Sequence, residues 1–148
     1  MKTYRLDNIY KDSNLFNPVI VSRIIGGKKW HTYRLYKAIR IELSNKTVIT
    51  IPRGFTWDLS SVPRLLWAVL PPDGNFIIAA LIHDYLYQNW FYLTWLNSMD
   101  DPRKFTDNEM LLWSKAMNGT KKLSIKKIDN YTRYYGVRLF GTKAWITK

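Results

Sequence analysis

The sequence predicts an α+β fold, an N-terminal antiparallel β hairpin or sheet packed against a C-terminal bundle of three to four helices. Three observations lead there. Apolar residues alternate at period two in the first third of the chain, and the pattern changes to helical spacing in the second half. The change falls in one Gly- and Ser-containing stretch, Gly54 to Ser61. Strands first and helices after are the order of an α+β fold rather than of alternating βαβ units. No repeat and no Pro/Gly/Ser linker divides the 148 residues, so a single domain is expected, with the β part over about residues 1–55 and the helical part over about 59–148.

In chain order, Val19 to Ile25 is rich in β-branched residues and ends at Gly26-Gly27, a strand and its turn. Tyr33 to Leu43 places Leu35, Ile39, Ile41 and Leu43 on one face. Ser44-Asn45-Lys46 then turns the chain into Thr47 to Ile51, making a hairpin that Pro52-Arg53-Gly54 ends. Ser60 or Ser61 caps a short helix with Pro63 in its first turn, running through Leu65, Leu66 and Val69 to the break at Pro71-Pro72-Asp73-Gly74. From Asn75 or Phe76 to Asn89 the hydrophobicity is nearly continuous, as in a buried central helix. Thr106-Asp107-Asn108-Glu109 reads as a capping box with Thr106 as cap, opening a helix through Met110, Leu111, Trp113 and Met117 that stops at Asn118-Gly119. A last helix is expected over Ile125 to Tyr135, interrupted by Gly136 and Gly141.

Composition sets bounds on chemistry. With no cysteine, there is no disulfide, no thiolate metal site and no Cys nucleophile, so any metal must be held by oxygen or imidazole. The segment Met1 to Arg5 lacks the apolar run of a secretory signal, and the longest wholly apolar stretch, Phe76 to Ile82, is far short of a membrane span. Synthesis in a cytoplasm is the expectation. The formal charge is +12, unevenly spread: Asp58 to Glu109 holds seven acids against three bases, net −4, and the remainder is +16. A basic shell around an acidic middle suits a polyanionic or lipid surface outside and a cation or proton-transfer site within. A solvated basic surface accounts for the charge equally well.

The sharpest feature is Ala79-Ala80-Leu81-Ile82-His83-Asp84-Tyr85-Leu86-Tyr87, a His-Asp pair inside an apolar helix. His83 and Tyr87, four apart, share a face, while Asp84 is turned about 100° away. A buried ionised carboxylate needs a partner charge or a metal. The plain alternative is that His83 and Asp84 satisfy core polar groups. A second feature, Gly54-Phe55-Thr56-Trp57-Asp58-Leu59-Ser60-Ser61-Val62-Pro63-Arg64, joins the two halves. There Asp58 with loop carbonyls could ligate a hard cation, or Asp58, Ser60 and Ser61 could be turn and cap residues. Asp107 suits the first turn of a helix; on a helix beside that of His83, its carboxylate could hold the imidazole in one tautomer. The aromatic run Asn89 to Leu96 is either core packing or, if exposed, a docking patch. Basic and aromatic residues interleave from Lys126 to Tyr135, as a nucleic-acid face or a solvated helix face would.

These motifs in order, Gly54 to Arg64, Pro71 to Gly74, Ala79 to Tyr87, Asp107 to Met117, and Val137 to Gly141 with Trp145, resemble the phage and prophage family called domain of unknown function thirteen fifty-three, over roughly Arg34 to Trp145. Trp57 departs from the Thr usual before the Asp. The resemblance implies phage origin and an α+β domain, without a reaction; virion association is the expected location. Separately, His83-Asp84-x-x-Tyr87 followed by Asp107 is similar to the H-D-x-x-Y helix and later Asp of phospholipase A2 domains. That resemblance implies His83 as general base on water, Asp84 as a calcium ligand, Asp107 as the carboxylate orienting His83, and Tyr87 hydrogen-bonded to that carboxylate. The glycine-rich calcium loop and the disulfides of those enzymes are absent, and Gly54 to Asp58 alone could substitute.

The expected function is therefore a metal-assisted hydrolase of a lipid or cell-envelope ester or amide. Its catalytic residues are His83, Asp107 and Tyr87, with Asp84 and Asp58 on Ca2+ or another divalent cation and Ser61, Arg64 and Trp57 as binding residues. No organic cofactor is expected. The alternative is a non-enzymatic virion or tail-associated protein that binds phage structural proteins, and a third reading, nucleic-acid binding, rests on charge.

Overall fold

The computed structural model describes residues 1, 3–7, 21–23, 32–58, 77–118, 124–142 and 145. They form a mixed α+β fold of two small sheets followed by four helices packed against one another. The strands are β1 (Thr3–Tyr4), β2 (Val21–Arg23), β3 (Thr32–Leu35), β4 (Ile39–Glu42), β5 (Val48–Ile51) and β6 (Thr56–Asp58). The helices are α1 (Ile77–Asn89), α2 (Thr94–Asn97), α3 (Pro102–Asn118) and α4 (Ser124–Phe140).

The expected hairpin is β4 and β5, with Ile39 opposite Ile51 and Glu42 opposite Val48. Its tip closes with Lys46 in the left-handed region at φ 68°, and Asn45 Oδ1 accepts from the Thr47 amide. β1 adds to β4 in parallel, giving the order β1-β4-β5. The period-two run Tyr33 to Leu43, expected as one strand, is two. The chain bends at Tyr36 to Ala38, so β3 joins a second, antiparallel sheet of order β2-β3-β6. Backbone bonds between Leu35 and both Gly54 and Phe55 hold the bend, and Gly54 takes a positive φ of 86° there. All four residues of the expected face, Leu35, Ile39, Ile41 and Leu43, remain buried, because alternation survives a strand break that keeps the phase. The expected helix capped by Ser60 or Ser61 lies outside the described residues, as do most of Val19 to Ile25.

One apolar cluster joins sheets and helices, with Leu35, Ile41 and Ile51 from the strands meeting Ile78, Leu81, Ile82 and Trp113. α1 is its axis: it packs on α3 and against β6, and α3 packs on α4. Its near-continuous hydrophobicity reflects that burial on several sides. Among the described residues no helix is long and apolar enough to cross a membrane.

Two helix boundaries differ from expectation. α3 starts at Pro102, where Asp101 Oδ1 accepts from the Lys104 amide and proline occupies the first helical position. The apparent capping box is one turn inside the helix. Thr106 donates to the Pro102 carbonyl instead, and Glu109 reaches the hairpin tip, accepting from the Ser44 amide, the Ser44 hydroxyl and Trp113 Nε1. A capping-box signature cannot by itself be distinguished from the same residues kept for tertiary contacts. α4 continues through Gly136 to Phe140, because that glycine is buried in the packed helix and its weak propensity is overridden there.

Candidate functional site

Three helices converge around the imidazole of His83. In α1 the i, i+4 spacing stacks the His83 and Tyr87 rings, centroids 4.1 Å apart. α3 crosses α1 so that Asp107 faces both. His83 Nε2 is 2.9 Å from Asp107 Oδ1, and the Tyr87 hydroxyl donates to that same oxygen at 2.7 Å. The C-terminal end of α4 supplies Arg138, whose Nη1 donates to Asp107 Oδ2 at 3.1 Å. Arg103, one turn before Asp107 on α3, brings Nε to 3.9 Å from Oδ2 and donates to the Tyr87 hydroxyl at 3.3 Å. Its other nitrogens close the end of α4 through the carbonyls of Val137 and Arg138 and the Thr142 hydroxyl. Trp145 packs edge-on against Tyr87 and stacks on Trp90. Gly141 is required here, because a Cβ would lie 3.1 Å from the Tyr87 hydroxyl and 2.4 Å from the Val137 carbonyl oxygen.

His83 is 1% exposed and Asp107 is wholly buried. Burial, the largest influence on His83, acts to lower its pKa. Hydrogen bonds to Asp107 and then Asp84, with the charges of both, outweigh it and hold the ring above its ordinary 6.5. For Asp107, burial pushes upward and is outweighed by the bonds and charge of His83 and the bonds from Tyr87 and Arg138, so the carboxyl sits below 3.8. Burial, then the negative charge of Asp107, pushes the Tyr87 phenol well above 10, so it stays a donor. Burial also raises Glu109 above 4.5 despite its bonds from Ser44 and Trp113.

These directions predict a pH profile of stability. With a folded-state pKa above 6.5, the contribution of His83 is complete below pH 6.5 and fades as pH rises through the folded value. With a folded-state pKa below 3.8, that of Asp107 is complete above pH 3.8 and fades as pH falls through the folded value. The cluster therefore stabilises most between those two pH values. Glu109 shifts the balance further to the acid side, since its raised carboxyl favours the fold most below pH 4.5. Thermal melting should be highest in weak acid and decline above neutrality. His83→Gln should flatten that alkaline decline, and an unchanged slope in the variant would assign it to another group.

The other expected site residues are placed differently. Asp84 neighbours His83 with Oδ1 3.5 Å from Nδ1, at the limit of hydrogen bonding, and is buried. Asp58 ends β6, its backbone paired with Thr32, and its side chain lies outside the described set. Ser61 and Arg64 lie outside it too. Trp57 is in the core at 1% exposure, stacked on Tyr33 at 5.6 Å. Among the described residues no three His, Asp or Glu side chains gather as a metal site. A calcium ion takes about six to eight oxygens. Of the two expected ligands, only the Asp84 side chain falls among the described residues. Sequence reasoning did not find Arg103 or Arg138. Arg103 had a local signal in its i, i+4 spacing to Asp107, whereas Arg138 had only its place in the Val137 to Gly141 motif.

The family described as protein of unknown function (DUF1353) matches residues 33–132, more than half of the chain. The chain belongs to this family. In this chain the matched region spans the β4–β5 hairpin, α1, α2, α3 and the first half of α4, and it includes His83, Asp84, Tyr87 and Asp107 but not Arg138. No curated protein and no solved structure gives a significant match.

Proposed function

We propose that this DUF1353 protein is a phage-encoded hydrolase acting on an ester or amide of the bacterial envelope, with phospholipid as the first substrate class to test. The observation that carries the reading is the shared oxygen of Asp107, bound by His83 Nε2 at 2.9 Å and by the Tyr87 hydroxyl at 2.7 Å. A carboxylate fixed at Nε2 keeps a ring proton there, so Nδ1, which faces Asp84 Oδ1 at 3.5 Å, is the nitrogen that exchanges the second proton. In the reaction Nδ1 takes a proton from water as the water oxygen bonds to the acyl carbon, then returns it to the departing alkoxide or amine. Asp107 stabilises the imidazolium formed between those steps. The resemblance of His83-Asp84-x-x-Tyr87 and Asp107 to the phospholipase A2 helix supports the same roles.

The test is hydrolysis of phospholipid, acyl-ester and peptidoglycan substrates by the purified protein, with added calcium and with a chelator. Turnover should rise with pH through a value above 6.5, because the base works unprotonated and its pKa is raised. Loss of turnover in chelator would assign Asp84 a cation; equal turnover in both removes the cation and leaves the His83–Asp107 pair to act alone.

A second reading is favoured by the burial of the ring. A His83 that is 1% exposed, on a carboxylate also held by Arg138, ties α1, α3 and α4 together. In that case the protein is a non-enzymatic virion or tail-associated component, and the same assay shows no turnover on any substrate.

A further inference from the structure

The strands β3 and β4 keep a single register against β6 and β5 across the bend. Arg34 lies opposite Thr56, and Ile39 lies opposite Ile51, the same number of residues along each strand. Side chains therefore stay in phase over the whole ribbon. Leu35, Ile41, Ile51 and Trp57 turn to the core and the helices. Arg34, Tyr36, Arg40, Thr50 and Thr56 are exposed on the other face, with Arg40 opposite Thr50. Lys37 and Arg53 are exposed at the bend, where the Arg53 guanidinium lies over the Tyr36 ring, 5.7 Å from its centroid. Glu42, the next outward residue, is met by Arg5 at 2.8 Å and Lys46 at 3.4 Å. Among the described residues no carboxylate pairs with Arg34, Lys37, Arg40 or Arg53. Four positive charges thus stand uncompensated on one sheet face, whereas a surface kept only for solubility intersperses both signs.

We propose that this face binds single-stranded nucleic acid, with Arg34, Lys37, Arg40 and Arg53 on phosphates and a base stacked on Tyr36. The arginine fork matches the oxygens of a phosphate, and threonine hydroxyls donate to phosphate and sugar. Tyr36 remains 53% exposed, so its ring is open to a base beside the guanidinium that already covers part of it. Arg34 to Arg40 covers at most about 20 Å of strand, room for about four nucleotides. A duplex fits less well. Its major groove admits a two-stranded ribbon, whereas β1 and β2 widen each sheet to three strands here. A lipid surface fits less well too, because among the described residues of the strands and their bend the exposed large apolar side chains are Tyr36 and Val48, too few to enter a bilayer. His83 lies in α1 on the core side of the sheets, so this binding does not depend on what the imidazole does.

Fluorescence anisotropy of the full chain with a labelled single-stranded oligonucleotide of mixed sequence tests the proposal. Four phosphate contacts predict that affinity falls about 50-fold between about 50 and 200 mM salt. Tyr36→Ala should weaken binding about tenfold, while Tyr36→Phe keeps it. Arg34→Ala/Arg40→Ala should weaken binding more than Lys104→Ala/Lys115→Ala, which removes the same charge from exposed positions on α3. All of these side chains are exposed, so circular dichroism should not change. His83→Gln should bind as wild type does. Absence of binding, an unchanged affinity in Tyr36→Ala, or an equal loss in the α3 double variant would overturn the proposal. Equal or tighter binding to polyphosphate or to the matching duplex would overturn it as well, since neither offers an unstacked base.

Discussion

Asp107→Asn should lower stability by about 3 kcal/mol, the low end of what breaking a buried ionic cluster costs. In the wild type the carboxylate accepts from His83, Tyr87 and Arg138 at once. An amide of the same shape has one oxygen for three donors and turns its own N–H2 toward one of them. The loss stays at the low end for two reasons. His83 can shed its proton once the charge that raised its pKa is gone, and Arg138 is part-exposed and can turn to water. Urea unfolding at pH 6 measures the loss, and an unchanged m-value shows that the denatured state is not responsible. A drop below about 1 kcal/mol would mean that the three donors act separately, as surface groups do. Under the hydrolase reading the variant also loses about four orders of magnitude of turnover, because an amide at Nε2 no longer selects the tautomer that leaves Nδ1 basic.

How much of this was legible in the sequence depends on the range of the interaction. Period-two alternation located the buried face of Tyr33 to Leu43 although it did not reveal the break at Tyr36 to Ala38, since a bend that preserves phase leaves the pattern intact. The near-continuous apolar run marked α1 as central because burial on several sides is written into every residue of it. His83 and Tyr87 were placed on one face by helical spacing alone. Their meeting with Asp107, 24 residues from His83, was expected from the resemblance rather than from any local pattern, and the coordinates bring the three side chains together as that resemblance implied. Arg138, 31 residues beyond Asp107, has no such signal: a basic residue near a helix C-terminus is common for dipole reasons, and nothing local distinguishes one that reaches a buried carboxylate. The exposed pair Phe91 and Tyr92 lay inside an aromatic run in which Trp90 and Leu93 pack against the core, so composition could not separate exposed residues from packing ones.

His83→Gln decides between the two functional readings, and its effects on turnover and on folding are expected to part company. A glutamine amide can still donate to Asp107, which keeps its bonds from Tyr87 and Arg138 and stays ionised, so no buried charge is left without a partner. The stability cost should be about 1 kcal/mol, because a neutral donor replaces a charged one at the Asp107 oxygen, and charge-assisted hydrogen bonds exceed ordinary ones by about that much. Turnover on the envelope substrate should fall about 10²- to 10⁴-fold, since glutamine has no nitrogen able to accept a proton near neutral pH. The pH dependence of any residual rate should lose its limb above 6.5 as well. If wild type hydrolyses nothing while His83→Gln melts several degrees lower in weak acid, the imidazolium is there to bind α1 to α3 and the hydrolase reading fails. The two outcomes differ physically in which ring nitrogen matters. A structural role needs the Nε2 contact, which glutamine partly replaces, whereas catalysis needs the basic Nδ1, which it does not.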